Sequence, residues 1–194
     1  MTDFTKSSQF DDVGLKCLMR RCRLNDLKIW GFIVSVQPSE NISLAFSDKY
    51  DKSHAEHYLS KHQASFASKL SHWRDVQLAR KALHMAGDPD LVLDLPCGAG
   101  RFWPMLAEQP NRVIIGSDNS ENMIATAMHA QPKDVVSRVR PLQTSAFDID
   151  LPDQSVDSIF CMRLIHHVGD PAHRAKMLRE FHRVTRDTVI ISLW

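Results

Sequence analysis

The chain has 194 residues, 43% hydrophobic and 24% charged, a make-up that excludes disordered and fibrous classes and suits a globular domain with a real core. Its 24 basic and 23 acidic residues leave a formal charge of +1, so no global field points to nucleic acid or to a strongly charged partner. The four cysteines, Cys17, Cys22, Cys97 and Cys161, form no CxxC pair and no zinc-like spacing with the ten histidines, so reduced thiols and no metal site are expected. No basic start with a long apolar run behind it marks a leader, and the longest apolar run, 29–36, is too short to span a bilayer. A soluble, cytoplasmic protein is the expectation.

Residues 1–46 read as an extension of uncertain structure. It holds a basic knot (Lys16, Arg20, Arg21, Arg23), the apolar run 29–36 and a turn at 37–40. The knot reads as a solvated face, because the aromatic interleaving of a single-strand binder is missing. Residues 47–194 read as one domain, with helices over 47–87 and a core over 91–194. In its first part, Phe66, Leu70, Trp73, Val76, Leu78, Ala79 and Leu83 recur close to the helical period, and Gly87-Asp88-Pro89 supplies a stop.

From residue 91 the pattern alternates. A strand over 91–95 leads through a glycine loop into a helix reaching about 108. Strand 112–117 precedes a helix over 120–130, capped at Asn119 or Ser120. Strands follow at 139–142 and 156–162, then a helix over 171–184 with Pro171 in its first turn, then a strand at 188–193. Short, nearly continuous apolar strands alternating with helices predict an α/β fold: a Rossmann-like, doubly wound parallel sheet with helices on both faces.

The chemistry concentrates in Val92-Leu93-Asp94-Leu95-Pro96-Cys97-Gly98-Ala99-Gly100. Gly98 and Gly100 let backbone approach a ligand where a Cβ would collide, and ligands of open α/β sheets lie outside the carboxyl ends of the strands. A dinucleotide loop needs a third small residue, a place held here by Trp103, which argues against NAD. An acid at the strand end, Asp94, suits an ammonium-bearing ligand better than a pyrophosphate. The second strand ends in Gly116-Ser117-Asp118-Asn119-Ser120, where Asp118 can accept bonds from two ribose hydroxyls.

With these residues, the chain from about 47 to 194 resembles the class I S-adenosylmethionine-dependent methyltransferases of the type 11 or type 25 domain kind. DLPCGAGRFW is similar to that family's first motif, with Pro96-Cys97 in place of a commoner glycine-containing pair. The Gly116–Ser120 stretch, with Met123 following, is similar to its second motif. Thr144-Ser145-Ala146-Phe147-Asp148 aligns with the third, with Ser145 where an acid usually holds the adenine amino group and the backbone N–H near Phe147 as another candidate for that contact. Asp153–Asp157 resembles the turn into the fourth strand, and Cys161–Val168, with its His166-His167 pair, the segment bordering the methyl group.

The resemblance implies S-adenosylmethionine as cofactor, held by Asp94, Pro96, Cys97, Gly98, Gly100, Asp118, Asn119, Met123, Ser145, Ala146, Phe147 and Met162. It implies in-line methyl transfer to a small-molecule substrate, with His166 the weak candidate for a catalytic base and no residue named as essential. Cys97 is expected to be a small loop residue rather than a nucleophile. Arg163 is expected to pair with Asp157 or solvent, or with a cofactor or substrate carboxylate. Trp73 is expected in the core, or with Arg74, Tyr50 and Tyr58 as part of a lid.

One departure stands out. Family members add two antiparallel strands after the fifth parallel strand, and the reading expects a domain without these sixth and seventh strands. The expectation is an exposed apolar fifth strand prone to self-association. The alternative reading follows from it: a non-catalytic cofactor-binding or interaction protein on a degenerate methyltransferase fold.

Overall fold

A computed structural model describes residues 15–18 and 66–193. The expectations placed on the apolar run 29–36, the turn at 37–40, Tyr50, Tyr58 and most of the basic knot lie outside the described residues. In chain order the elements are β1 (Leu15–Leu18), α1 (Phe66–Met85), β2 (Leu91–Asp94), α2 (Trp103–Leu106), β3 (Val113–Asp118), α3 (Glu121–Ala130), α4 (Lys133–Val136), β4 (Val139–Gln143), β5 (Val156–Cys161), a single 3-10 turn (Ile165–His167), α5 (Pro171–Val184) and β6 (Thr185–Ser192).

The strands form one sheet in the order β1-β6-β5-β2-β3-β4. Pairing is parallel from β6 to β4, the predicted doubly wound arrangement. Successive strand residues point to opposite faces, and the sequence alternates its packing partners accordingly. Val92, Phe160 and Ile190 join one core cluster with Trp103, Leu106, Ile124 and Ala127. Leu93, Ile159 and Ile191 join the other with Met177 and Phe181 of α5. Helices therefore cover both faces. β4 is an edge strand, which is why Pro141 can sit inside it without breaking an interior ladder.

Along α1 the buried positions are Asp75, Ala79, Ala82 and Leu83, with Val76 and Ala86 partly buried, a stripe at helical spacing. Only the second half of the helix meets the apolar core. Leu70 and Trp73, expected there, are 55% and 59% exposed. The helix after the glycine loop is also shorter than predicted, four residues rather than a run to 108. The carbonyls that a further turn would have used are captured by side chains instead: Arg112 donates to the Leu106 carbonyl at 3.1 Å and Arg138 to the Ala107 carbonyl at 2.5 Å.

The sheet edge corrects the sequence reading most sharply. β6 is not an unpaired edge: β1 lies antiparallel against it, Leu15 opposite Ser192 through Leu18 opposite Val189. A strand from the N-terminal extension thus occupies the place beside the last parallel strand, and the ground for self-association through β6 falls away. Deleting residues 1–18 is expected to uncover that ladder, since an exposed apolar strand edge templates pairing with other chains. Light scattering should show larger species for the shortened protein than for the full chain; an unchanged mass would count against a protective role for β1.

Candidate functional site

β2 and β5 are neighbours, while the chain leaves β2 toward β3 on one side and reaches β5 and β6 on the other. Their carboxyl ends form the topological switch point, where open α/β sheets place their ligands. Asp94 and Asp118 end β2 and β3, the stretches after β2, β4 and β5 carry Pro96 to Gly100, Ser145 to Phe147 and Met162, and Asn119 and Met123 lie before and on α3.

The loop after β2 is tied down before any ligand is considered. The Cys97 N–H donates to the Ser117 carbonyl at 2.7 Å and the Gly98 N–H to Asp118 Oδ2 at 3.0 Å, fixing the loop to the end of β3. Gln131 donates to the Ala99 carbonyl at 3.0 Å from behind. Gly98 and Gly100 have φ of 54° and 71°, left-handed backbone that favours glycine. A Cβ on Gly98 would stand 3.7 Å from the Met123 side chain, so the predicted loop and the predicted adenine-side methionine do meet. Pro96 is partly buried, and Met162 is buried against the same core cluster as Phe102 and Phe160.

Asp94 is the outlier of the site. It is 1% exposed, its Oδ2 accepts the Trp103 indole N–H at 3.0 Å, and its Oδ1 has no hydrogen-bond partner among the described residues. Burial pushes this carboxyl well above the usual carboxylate range, the Trp103 bond pulls against that, and the charge of Asp118 adds to the rise. Ser117 Oγ, at the end of the neighbouring strand, is likewise buried without a partner. Asp94 stands opposite Gly116 in register, so Ser117 faces the other side of the sheet, and the costly unsatisfied atom on the Trp103 side is Asp94 Oδ1 alone.

Trp103 has a larger part than the sequence suggested. Its fully buried indole packs under the loop, so close that a Cβ on Gly100 would come within 2.9 Å of it and one on Gly116 within 2.4 Å. Gly116 is therefore needed as clearance for the indole that holds Asp94.

Asp118 accepts bonds from Gly98 N and, through Oδ1, from Ser120 N at 3.0 Å. Burial raises its carboxyl, and backbone N–H donors from Ser120, Gly98 and Asn119 oppose the rise. Ser120 occupies the N-cap of α3 but its hydroxyl makes no cap bond, so the predicted cap is backbone-only there. Asn119 is exposed, and its carbonyl accepts from Gln143.

The third motif folds on itself. The Phe147 N–H donates to Ser145 Oγ at 3.2 Å, closing a local turn, so that donor is already engaged. Ala146 and the Phe147 ring are buried in the cluster beneath α5, the ring 6.1 Å edge-on from His173. Cys97 is buried, and burial followed by the charges of Asp94 and Asp118 raises its thiol well above the usual range, which suits a loop residue and not a thiolate nucleophile. His166 is exposed on the 3-10 turn, its ring 4.0 Å from that of His167; burial, His167 and Arg163 each lower its affinity for a proton.

Arg163 corrects another expectation. Asp157 pairs with Arg186 at 2.9 Å and accepts the Leu91 N–H, whereas Arg163 reaches Asp75 on α1 at 2.8 Å. Asp75 and its second partner, Arg101, were not singled out in the sequence. The available signal was a charged residue on the stripe of α1 that otherwise carries Ala79, Ala82 and Leu83. Among the described residues no group of histidine, cysteine or acidic side chains could hold a metal, and no helix is long and apolar enough to cross a membrane.

A cofactor of the S-adenosylmethionine type fits the edge on three counts. A buried carboxylate oxygen stands without a partner at the end of β2, the loop that follows holds left-handed backbone at Gly98 and Gly100, and a second carboxylate sits at the next strand end.

Comparison with known proteins agrees. The profile of a family described as a methyltransferase domain matches residues 92–188, half of the chain. A SAM-dependent methyltransferase of Aquifex aeolicus is 30% identical over 55% of this chain and 57% of its own, with a TM-score of 0.47. A putative S-adenosyl-L-methionine-dependent methyltransferase of Methanococcus maripaludis superimposes with a TM-score of 0.59 at 22% identity, covering 76% of this chain and 63% of that one. Magnesium protoporphyrin IX methyltransferase of Synechocystis, solved with bound SAH, gives a TM-score of 0.59 at 18% identity over 75% and 69% of the two chains. The last two share the fold. The chain spans less than two thirds of the length of the Aquifex and Methanococcus proteins.

Proposed function

The chain belongs to the methyltransferase-domain family, and from that premise we propose that it binds S-adenosylmethionine across the ends of β2 and β3 and transfers the methyl group to a small-molecule acceptor. The observation that carries the reading is the unpaired, buried Oδ1 of Asp94 at the switch point. Asp94 would hold the ammonium of the methionine end, the loop through Gly98 would lie along that end, and Asp118 would accept from the ribose hydroxyls. Met123, beside Gly98, borders the adenine, and Ser145 closes the turn that bounds it. The cofactor supplies a sulfonium methyl group open to in-line displacement. The protein's share is to hold both reactants in line and exclude water, and His166, on the turn after β5, is the candidate base for acceptors that keep their proton.

The ammonium favours ionised Asp94, whereas burial in the empty protein favours the protonated form. Binding therefore releases a proton, and affinity rises with pH up to the elevated value of the empty site. Calorimetry in buffers of different ionisation heat should show this release for the parent and lose it in Asp94→Asn; equal heats in all buffers would remove Asp94 from the ammonium contact.

The functional test is a metabolite extract incubated with methyl-labelled S-adenosylmethionine. Label appearing in a small molecule, only with the intact protein, is the expected result. Cofactor binding without any transfer would favour the non-catalytic alternative.

A further inference from the structure

Asp75 is 5% exposed on α1, and its Oδ2 accepts two guanidinium bonds, from Arg101 at 2.8 Å and Arg163 at 2.8 Å. Arg101 directly follows Gly100 in the loop after β2, and Arg163 stands just beyond β5. These are the two loops that flank the switch point. The network extends in both directions. Arg101 Nε meets His72 Nδ1 at 2.9 Å, one turn back on α1, and its guanidinium lies over the Phe102 ring. The Arg163 N–H donates to Ser192 Oγ at 2.7 Å, at the end of β6, and Arg163 itself holds a left-handed φ of 61°. One buried carboxylate thus links α1 to the ends of three neighbouring strands, β2, β5 and β6. A left-handed backbone on an arginine is uncommon and persists where its surroundings fix it.

We propose that Asp75 is a positioning residue that clasps the two loops of the switch point, so that the loop receiving the cofactor and the loop carrying His166 are held at one spacing. The inference rests on the proposed cofactor site and adds a residue to it. Asp75 touches neither reactant. It acts through Arg101 on the glycine loop and through Arg163 on the segment leading to the 3-10 turn. Charge-assisted bonds in a nearly dry setting are directional and strong, so they fix the loops more firmly than the exposed pairs elsewhere on the molecule. The contrast lies on the same helix: Arg80 pairs with Glu108 at 2.5 Å, but both side chains are more than 40% exposed, and such a pair contributes little.

The test measures S-adenosylmethionine affinity by calorimetry and thermal stability for the full-length parent, Asp75→Ala, Arg163→Ala, the double variant, Arg163→Lys and Arg80→Ala. Parent binding comes first, and its absence would overturn the proposed cofactor site itself. Given parent binding, Asp75→Ala should weaken affinity about tenfold or more, the worth of one buried charge-assisted bond. Arg163→Ala should weaken it less, and the double variant should be no worse than Asp75→Ala, because both act through one clasp. Arg80→Ala removes the exposed Arg80–Glu108 tie between α1 and the domain and should leave affinity unchanged, which separates the clasp from general anchoring of the helix. If Asp75→Ala fails to fold, recovery of affinity in Arg163→Lys relative to Arg163→Ala carries the test. A folded Asp75→Ala with affinity within twofold of the parent, additive losses in the double variant, or equal loss in Arg80→Ala would each overturn the clasp.

Discussion

Replacing Asp94 with asparagine is expected to weaken S-adenosylmethionine binding about a hundredfold while leaving the protein at least as stable as the parent. The two halves of that result have one cause. In the empty protein the carboxylate is buried, one oxygen held by the Trp103 N–H and the other without a partner. A charge in that position is costly to the fold, and an amide of the same shape is less so. The cofactor's ammonium repays the cost only when the charge is there to meet it, and losing one partner of a buried ion pair is worth roughly 3 kcal/mol, or about two decades of affinity. The sign with pH follows. Because burial raises the native value of Asp94 above its unfolded value, its stabilising share is present at low pH and is lost as pH rises from about 4 through the raised native value. The stability difference between Asp94→Asn and the parent should therefore grow as pH rises through that window, measured without cofactor. Denaturation curves at several pH values check the stability half, and equilibrium dialysis checks the affinity half. Unchanged affinity together with lower stability would make Asp94 a structural residue.

The second large effect is expected at Gly116, which makes no contact with a ligand in this account. A methyl group there would stand 2.4 Å from one indole carbon of Trp103, 3.0 Å from another and 3.0 Å from Val139. The indole cannot step aside cheaply. It is completely buried, packed against Gly100 on another side, and its N–H is fixed on Asp94. Overpacking a core by a methyl group costs about 1–3 kcal/mol where neighbours can shift, and here the upper end applies, so Gly116→Ala should lower the melting temperature by roughly 6–12 °C. It should also weaken cofactor binding, because displacing the indole moves the group that orients Asp94. Adding Trp103→Leu should restore part of the stability by reopening the space but not the affinity, since no N–H is left for Asp94. A Gly116→Ala variant melting with the parent would mean the indole is not held where it is described.

Much of this arrangement was legible in the sequence, for local reasons. Val92-Leu93-Asp94 and Ile114-Ile115-Gly116 announce buried parallel strands because both of their faces are covered, and α5 was legible because Pro171 suits a first turn, while the Asp170 side chain that caps it was not singled out. Asp94, the two loop glycines and Asp118 declared themselves because a strand end, a glycine turn and an acid must follow one another closely to form such a loop. What was missed depends on partners far along the chain. β1 is four residues long and pairs with β6 at the other end of the sequence, a relation no local pattern carries. Trp103 was read as an obstacle to a dinucleotide; that it holds Asp94 and sets the need for Gly116 depends on packing. Asp75 joins Arg163 across 88 positions, and of the two readings of Trp73, core or lid, the core one followed a periodicity that holds for the helix but not for its surroundings.

The central claim is that the ends of β2 and β3 form an S-adenosylmethionine site governed by Asp94. Calorimetric titration of the full-length protein with S-adenosylmethionine, S-adenosylhomocysteine and NAD tests it most directly. One-to-one binding of the first two and none of NAD is the predicted result. No heat from S-adenosylmethionine at any pH, or equal binding of NAD, would contradict the account.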